Sequence, residues 1–227
     1  MKEPLNRYFD AAILKPESTQ AEVRAAIAAM VSARTITVCV RPCDIALACG
    51  MCRGTETMVS CVLGFPHGDA LSESKADEAV RYVALGAAEI DMVVNYGLIR
   101  SAEWQRVERD LALVREAARG VTLKAILETA SLTVAEIAEA TRVAVRVGLD
   151  FVKTSTGFGP GGATEEAVKA MVAAGQGRIR VKASGGIRTR ETAERYVSLG
   201  CARLGVNYTS AAEICGVKIA AAPSGAY

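Results

Sequence analysis

Residues that metal and nucleic-acid sites draw on are scarce in this sequence. Among its 227 residues are one histidine, one tryptophan, four phenylalanines and six prolines. A single histidine, His67, excludes a multi-histidine metal centre and gives a Ser-His-Asp triad weak support. It sits in Gly64-Phe-Pro-His-Gly68 and reads as a loop residue rather than a catalyst. The few aromatics leave little with which to stack bases. The 27 basic and 25 acidic residues are interspersed, with a net charge of +2 and no basic block. Nucleic acid is therefore not an expected partner. No apolar run reaches the roughly 20 residues of a membrane span, and Met1-Lys-Glu-Pro-Leu-Asn-Arg7 has no hydrophobic signal core. The expectation is a cytoplasmic protein with no membrane partner. The seven cysteines are odd in number and lack the spacing of a disulfide scaffold, so they read as reduced thiols. Cys49-Gly-Met-Cys52 has CxxC spacing, but at a predicted helix end. A metal cluster with Cys39, Cys43 and Cys61 is the minor alternative to ordinary buried thiols.

Hydrophobic residues make up 51% of the chain, with Ala, Val and Gly prominent, which suits close helix-on-sheet packing. Short β-branched runs predict strands over residues 9–14, 35–40, 58–63, 89–94, 123–127, 151–154, 179–183 and 203–206. Amphipathic runs between them predict helices over 19–32, 42–52, 72–85, 102–118, 133–147, 164–174 and 189–198. Ser72, Thr133 and Thr164 are candidate N-caps, and Gly86, Gly120, Gly148, Gly175 and Gly200 mark helix ends. The strands are mostly continuous apolar runs, as in a parallel sheet covered by helices. Eight βα units in one domain spanning 1–227, with a tail from about 216, predict a (β/α)8 TIM barrel. A doubly wound open sheet is the runner-up.

In a barrel, chemistry belongs at the C-terminal ends of the strands. Asp91, Glu128, Lys153, Thr154, Lys182, Ser184 and Asn207 fall there, with Lys124 slightly deeper. Lys153 and Lys182 each follow a valine in an apolar strand that runs into a glycine-rich turn. Burying a lysine in this way is costly. Two ammonium groups together can make one of them neutral enough to attack a carbonyl. Lowering a lysine from about 10.4 to about 7 takes roughly 4–5 kcal/mol of destabilised charge. The plainer alternative is that both lysines bind phosphate or snorkel to the rim. Asp91, inside Glu89-Ile-Asp-Met-Val-Val-Asn95, reads as a general acid/base or as a structural ion pair with Lys124. The turns Gly157-Phe-Gly-Pro-Gly-Gly162 and Gly185-Gly186 can offer backbone N–H groups to a phosphate.

In combination these segments resemble the deoxyribose-phosphate aldolase family, metal-independent Schiff-base aldolases on a (β/α)8 barrel. The similarity runs nearly end to end. It is carried by Phe9-Asp-Ala-Ala-Ile-Leu-Lys-Pro16, Val38-Cys-Val-Arg-Pro42, Gly64-Phe-Pro-His-Gly68 and Glu89-Ile-Asp-Met-Val-Val-Asn95. Leu123-Lys-Ala-Ile-Leu-Glu-Thr129, Phe151-Val-Lys-Thr-Ser-Thr-Gly-Phe-Gly159 and Val181-Lys-Ala-Ser-Gly-Gly-Ile-Arg188 are the most specific. The resemblance implies reversible cleavage of 2-deoxy-D-ribose 5-phosphate to acetaldehyde and D-glyceraldehyde 3-phosphate, with no metal or organic cofactor. It makes Lys153 the Schiff-base lysine, Lys182 its neighbouring cation and Asp91 the proton-transfer residue. Asp10, Cys39 and Lys124 would line the pocket; Thr156, Gly157, Gly185, Gly186 and Arg188 would cradle phosphate. Two departures stand out. Asp10-Ala11-Ala12 replaces the family's usual Asp-His-Thr, and Gly205-Val-Asn-Tyr208 replaces Gly-x-Ser-Ser, leaving Asn207 as hydrogen-bond donor. A C-terminal tyrosine, here Tyr227, helps move a proton in some members. Members are often homodimers, although no heptad pattern shows here. The alternatives are a Schiff-base aldolase for another or unphosphorylated acceptor, a barrel isomerase using Asp91 as base, and a degenerate sugar-phosphate sensor.

Overall fold

Eight short parallel strands alternate with helices through residues 3–220, the part of the chain that the computed structural model describes. The strands are β1 (Phe9–Ile13), β2 (Thr37–Val40), β3 (Met58–Leu63), β4 (Glu89–Val93), β5 (Thr122–Ile126), β6 (Phe151–Lys153), β7 (Arg180–Ser184) and β8 (Arg203–Asn207). They pair in sequence order, and β8 closes on β1, so the sheet is a closed barrel and the open-sheet alternative is excluded. The helices are α1 (Gln20–Ser32), α2 (Ile45–Cys52), α3 (Ser72–Ala84), α4 (Tyr96–Arg100), α5 (Trp104–Ala117), α6 (Val134–Val147), α7 (Glu165–Gly175), α8 (Arg190–Ser198) and α9 (Tyr208–Cys215).

Strand alternation sorts the side chains into two environments. Val38, Val40, Ile90, Met92, Leu123, Ala125, Val181 and Ala183 face the helices and join one buried apolar cluster. Each large aliphatic side chain buried there contributes about 1.5–3 kcal/mol. The intervening positions point into the barrel, and many of them are charged: Asp10, Glu89, Asp91, Lys124, Lys153, Lys182 and Arg203 are all buried. Among the described residues, no helix is long and apolar enough to cross a membrane.

The helix signals hold in part. Thr133 caps α6 with a capping box to Glu136, and Thr164 caps α7 through the Ala167 N–H. Gly148 ends α6 in the left-handed region at φ 77°. Ser72 is not a cap: it is the first helical residue of α3, and Leu71 precedes it without a side-chain bond. Gly175 is the last helical residue of α7, and Gln176 takes the left-handed position instead. The short helices α4 and α9 were not anticipated, because five to eight residues carry too little periodicity to read.

Candidate active site

Parallel register sets the side chains of the barrel interior side by side. Lys153 on β6 is the partner of Lys182 on β7, and Asp91 on β4 is the partner of Lys124 on β5. The result is a continuous ion network along the barrel axis. Asp91 Oδ2 accepts from Lys153 Nζ at 2.8 Å and from Lys182 Nζ at 2.7 Å, so the two ammonium groups share one oxygen. Asp91 Oδ1 accepts from Lys124 at 2.8 Å. Asp10 Oδ2 accepts from Lys182 at 2.5 Å and from Lys124 at 3.1 Å. Its other oxygen accepts from Arg203 at 2.6 Å. Glu89 closes the lower end, holding Arg203 at 2.8 Å and Lys124 at 2.5 Å. Beneath the network, the Phe151 ring lies between the network cations and Arg180, whose guanidinium stacks 4.1 Å from the ring centroid.

The same network separates the lysines electrostatically. Burial would lower Lys124, but Asp10, Asp91 and Glu89 outweigh it and hold the group well above the ordinary lysine value. Burial would likewise lower Lys182, yet Asp10 and Asp91 raise it. Lys153 goes the other way: burial presses it below the usual value, Asp91 alone among the carboxylates pulls back, and Lys182 adds to the depression. Burial is thus a larger cause than the neighbouring cation. Burial works against ionisation of Asp10 and Asp91 too, but their lysine and arginine neighbours hold both far below the usual carboxylate range. Burial pushes the Cys39 thiol up, and Asp91 adds to it.

A cavity of about 360 Å³ opens over this network at the C-terminal mouth. Lys153, the most exposed of the three lysines at 4%, faces it together with Lys182, Asp10 and Cys39. Asp91 and Lys124, both 0% exposed, lie beneath the floor. Lys124 therefore does not line the pocket as expected, because three carboxylates hold it one level down. Asp91 and Lys182 are mid-strand rather than at strand ends, so the site is sunk into the barrel. Gly205, the partner of Ser184 across β7 and β8, leaves space on this wall: a Cβ there would lie 2.5 Å from Ser184 Cβ and 3.2 Å from Lys182 Cε.

The far wall carries the phosphate candidates Thr156, Gly157, Gly185, Gly186, Arg188 and Asn207, all on the cavity. Thr156 is less available than expected. Its N–H (3.1 Å) and hydroxyl (2.6 Å) both donate to Glu128 Oε2, and the hydroxyl accepts from Phe158 N–H. Glu128 holds this turn from a left-handed backbone position, φ 55°. Gly162 and Gly185 touch backbone to backbone, and a Cβ on Gly162 would fall 2.4 Å from the Gly185 carbonyl oxygen. Gly162→Ala is expected to displace the Gly185-Gly186 turn. Steady-state kinetics should then show a raised KM for a phosphorylated substrate with kcat little changed.

Both departures from the family pattern now have a location. Ala12 lines the cavity, whereas Ala11 is buried in the helix-facing core. Asp10 needs neither missing side chain, since three cations hold it. Tyr208 packs on the core and does not line the cavity; Asn207, Thr209 and Ser210 do. Asn207 Oδ1 caps α9 by accepting from Thr209 N–H and hydroxyl. His67 lines an adjoining hollow of about 590 Å³, which meets the site cavity at Leu14 and Phe158 and has none of the lysines. The cysteines are free thiols, and among the described residues no group of three or more His, Cys, Asp or Glu is placed to hold a metal. Tyr227 lies outside the described residues.

Sequence reasoning missed Glu89 and Arg203. Each opens its strand, where charge reads as a solvated end. The signal was the alternation itself: Glu89 shares a strand face with Asp91, and Arg203 with Gly205 and Asn207.

Residues 6–206 match the DeoC/LacD family of aldolases. The chain is 39% identical over 216 residues to a deoxyribose-phosphate aldolase of Thermoanaerobacter sp. (strain X514), covering 94% of each chain. It is 41% identical over 203 residues to that of Streptococcus equi subsp. zooepidemicus (strain MGCS10565), covering 89% of this chain and 92% of the relative. Among solved structures, deoxyribose phosphate aldolase from Aeropyrum pernix, described as a unique tetramer, superposes with a TM-score of 0.84 at 26% identity over 93% of this chain and 89% of that one.

Proposed function

The chain belongs to the DeoC/LacD aldolase family, and from that premise we propose that it is a carbon–carbon lyase cleaving 2-deoxy-D-ribose 5-phosphate reversibly through a Schiff base on Lys153. The observation that carries this reading is the shared oxygen of Asp91: two lysine nitrogens at the cavity meet on it, and of the two only Lys153 is pressed below its ordinary pKa.

Neutral Lys153 Nζ attacks the C1 carbonyl of the open-chain sugar, and the carbinolamine loses water to give an iminium. The C3 hydroxyl then loses its proton, and the C2–C3 bonding pair moves to form the C2=C1 enamine as the iminium nitrogen becomes neutral. D-Glyceraldehyde 3-phosphate leaves with its new C3 carbonyl. Protonation at C2 and hydrolysis of the iminium release acetaldehyde and return Lys153. The lysine itself is the electron sink, so the electron flow requires no other group.

Asp91, ionised but beneath the floor, is suited to take the C3 proton through a water or along Lys182, which stays protonated. Asp10 and Cys39 line the cavity, which supports a role for them in meeting substrate hydroxyls. Gly157, the Gly185-Gly186 turn, Arg188 and Asn207 line the cavity, which supports their role in meeting the phosphate. Lys124 holds Asp10 and Asp91 rather than the substrate. The free thiols suit a reducing cytoplasm.

Acetaldehyde with borohydride should leave an ethyl group on Lys153, found by peptide mass spectrometry. An adduct confined to other lysines would overturn the assignment. Because Glu128 occupies both donors of Thr156, rates on deoxyribose and its 5-phosphate should be compared. Equal rates would favour an unphosphorylated acceptor.

A further inference from the structure

Arg203 and Glu89 sit at the end of the network away from the cavity and line no part of it. Their position bears on which lysine gives up a proton. Three carboxylates, Asp10, Glu89 and Asp91, are shared by four basic groups. Lys124 reaches three of the carboxylates, Lys182 two, Arg203 two and Lys153 one. A buried set with one cation in excess is costly, and releasing one proton removes the excess. Arg203 cannot release it. Lys124 and Lys182 are each held by more carboxylates than Lys153.

We propose that Arg203 and Glu89 are positioning residues that set the proton count of the barrel interior, so that Lys153 is the lysine left neutral. Arg203 permanently occupies Asp10 Oδ1 and Glu89 Oε1, leaving the two mouth lysines to share Asp91 and one oxygen of Asp10. Glu89 keeps Lys124 charged from below. The groups that act on Lys153 directly are Asp91 on β4, Lys182 on β7 and Cys39 on β2, while Asp10 on β1 reaches it through Lys182 and Lys124 on β5 through Asp91. Arg180, beyond Phe151, is exposed and paired with Asp150, outside the set.

The test is the pH dependence of acetaldehyde trapping on Lys153, followed by peptide mass spectrometry with cyanoborohydride. Arg203→Met leaves three lysines for three carboxylates, so Lys153 keeps its proton and the acid-limb midpoint should rise by about one pH unit or more. Glu89→Gln removes one negative charge, and the midpoint should fall by a similar amount. E89Q/R203M removes both and should return the midpoint to within about half a unit of the parent; this arm also avoids leaving a lone buried charge. R203K, which keeps the charge, should leave it in place. General loosening of the barrel would lower rates at every pH without moving the two single variants in opposite directions. Midpoints that do not move, that move the same way, or that stay displaced in the double variant overturn the proposal. The proposal rests on Lys153 as the imine lysine. No adduct on Lys153 in the parent protein would sink that reading, whereas a Lys153 adduct with unchanged midpoints sinks only the role of Arg203 and Glu89.

Discussion

Lys153→Leu should abolish aldol cleavage while leaving the barrel at least as stable as before. The two effects share one cause. The side chain is the proposed nucleophile, and of the three network lysines it alone is depressed: Lys182 is raised, and Lys124 is raised and beneath the floor. Turnover should fall by about four orders of magnitude or more, as when a covalent nucleophile is removed. Yet Lys153 is also the least supported cation of the network, with one carboxylate partner against two or three for the others. Leucine removes the one group whose protonation would put an excess charge in the interior, and it keeps Asp91 bonded to Lys124 and Lys182. Steady-state kinetics and thermal melting check both halves. Residual turnover within a hundredfold of the parent, or a melting temperature lowered by several degrees, would contradict them.

Asp91→Asn should separate the two halves of the reaction. Cleavage of deoxyribose 5-phosphate should drop by about 10²–10⁴-fold, the usual worth of a general acid/base. Trapping of acetaldehyde on Lys153 should persist. The sign of its pH shift follows from the charges. In the parent, Asp91 pulls the Lys153 pKa up against burial and Lys182. Without that carboxylate the pKa falls further, Lys153 is neutral at lower pH, and the acid limb of trapping moves down. In the parent, activity is expected to rise as pH increases through the depressed Lys153 value, since only the neutral amine attacks. The substitution also leaves Lys124 and Lys182 with fewer partners, so a loss of about 3–5 kcal/mol is expected from denaturant titration. Loss of trapping together with cleavage, in a folded variant, would mean that Asp91 serves imine formation and not bond cleavage.

The barrel was readable because its causes are local and repeated. Runs such as Val38-Cys-Val and Met92-Val-Val read as buried strands, and the caps Thr133 of α6 and Thr164 of α7 are likewise local signals. Lys153, Lys182 and Asp91 stood out because a charge in an apolar strand demands a partner or a purpose. Glu89 and Arg203 did not stand out, since at the first position of a strand the same charges look like solvated ends. Ser72 looked like a cap and is not one, because the choice between Leu71 and Ser72 lies in backbone geometry at the helix entrance rather than in residue type.

The sequence by itself determined the alternation that makes eight strands and the residue types that can form a Schiff base, because both depend on what each residue is and on spacings of two or about four. Only the tertiary structure decided which lysine is depressed, that Lys124 lies under the floor, that Thr156 is occupied by Glu128 and that Tyr208 stays clear of the cavity. Those outcomes rest on register and burial across strands more than a hundred residues apart in the chain, such as Asp10 with Lys182 and Arg203. A pKa depends on how many opposite charges are within reach in a dry interior, and no spacing along one chain records that number.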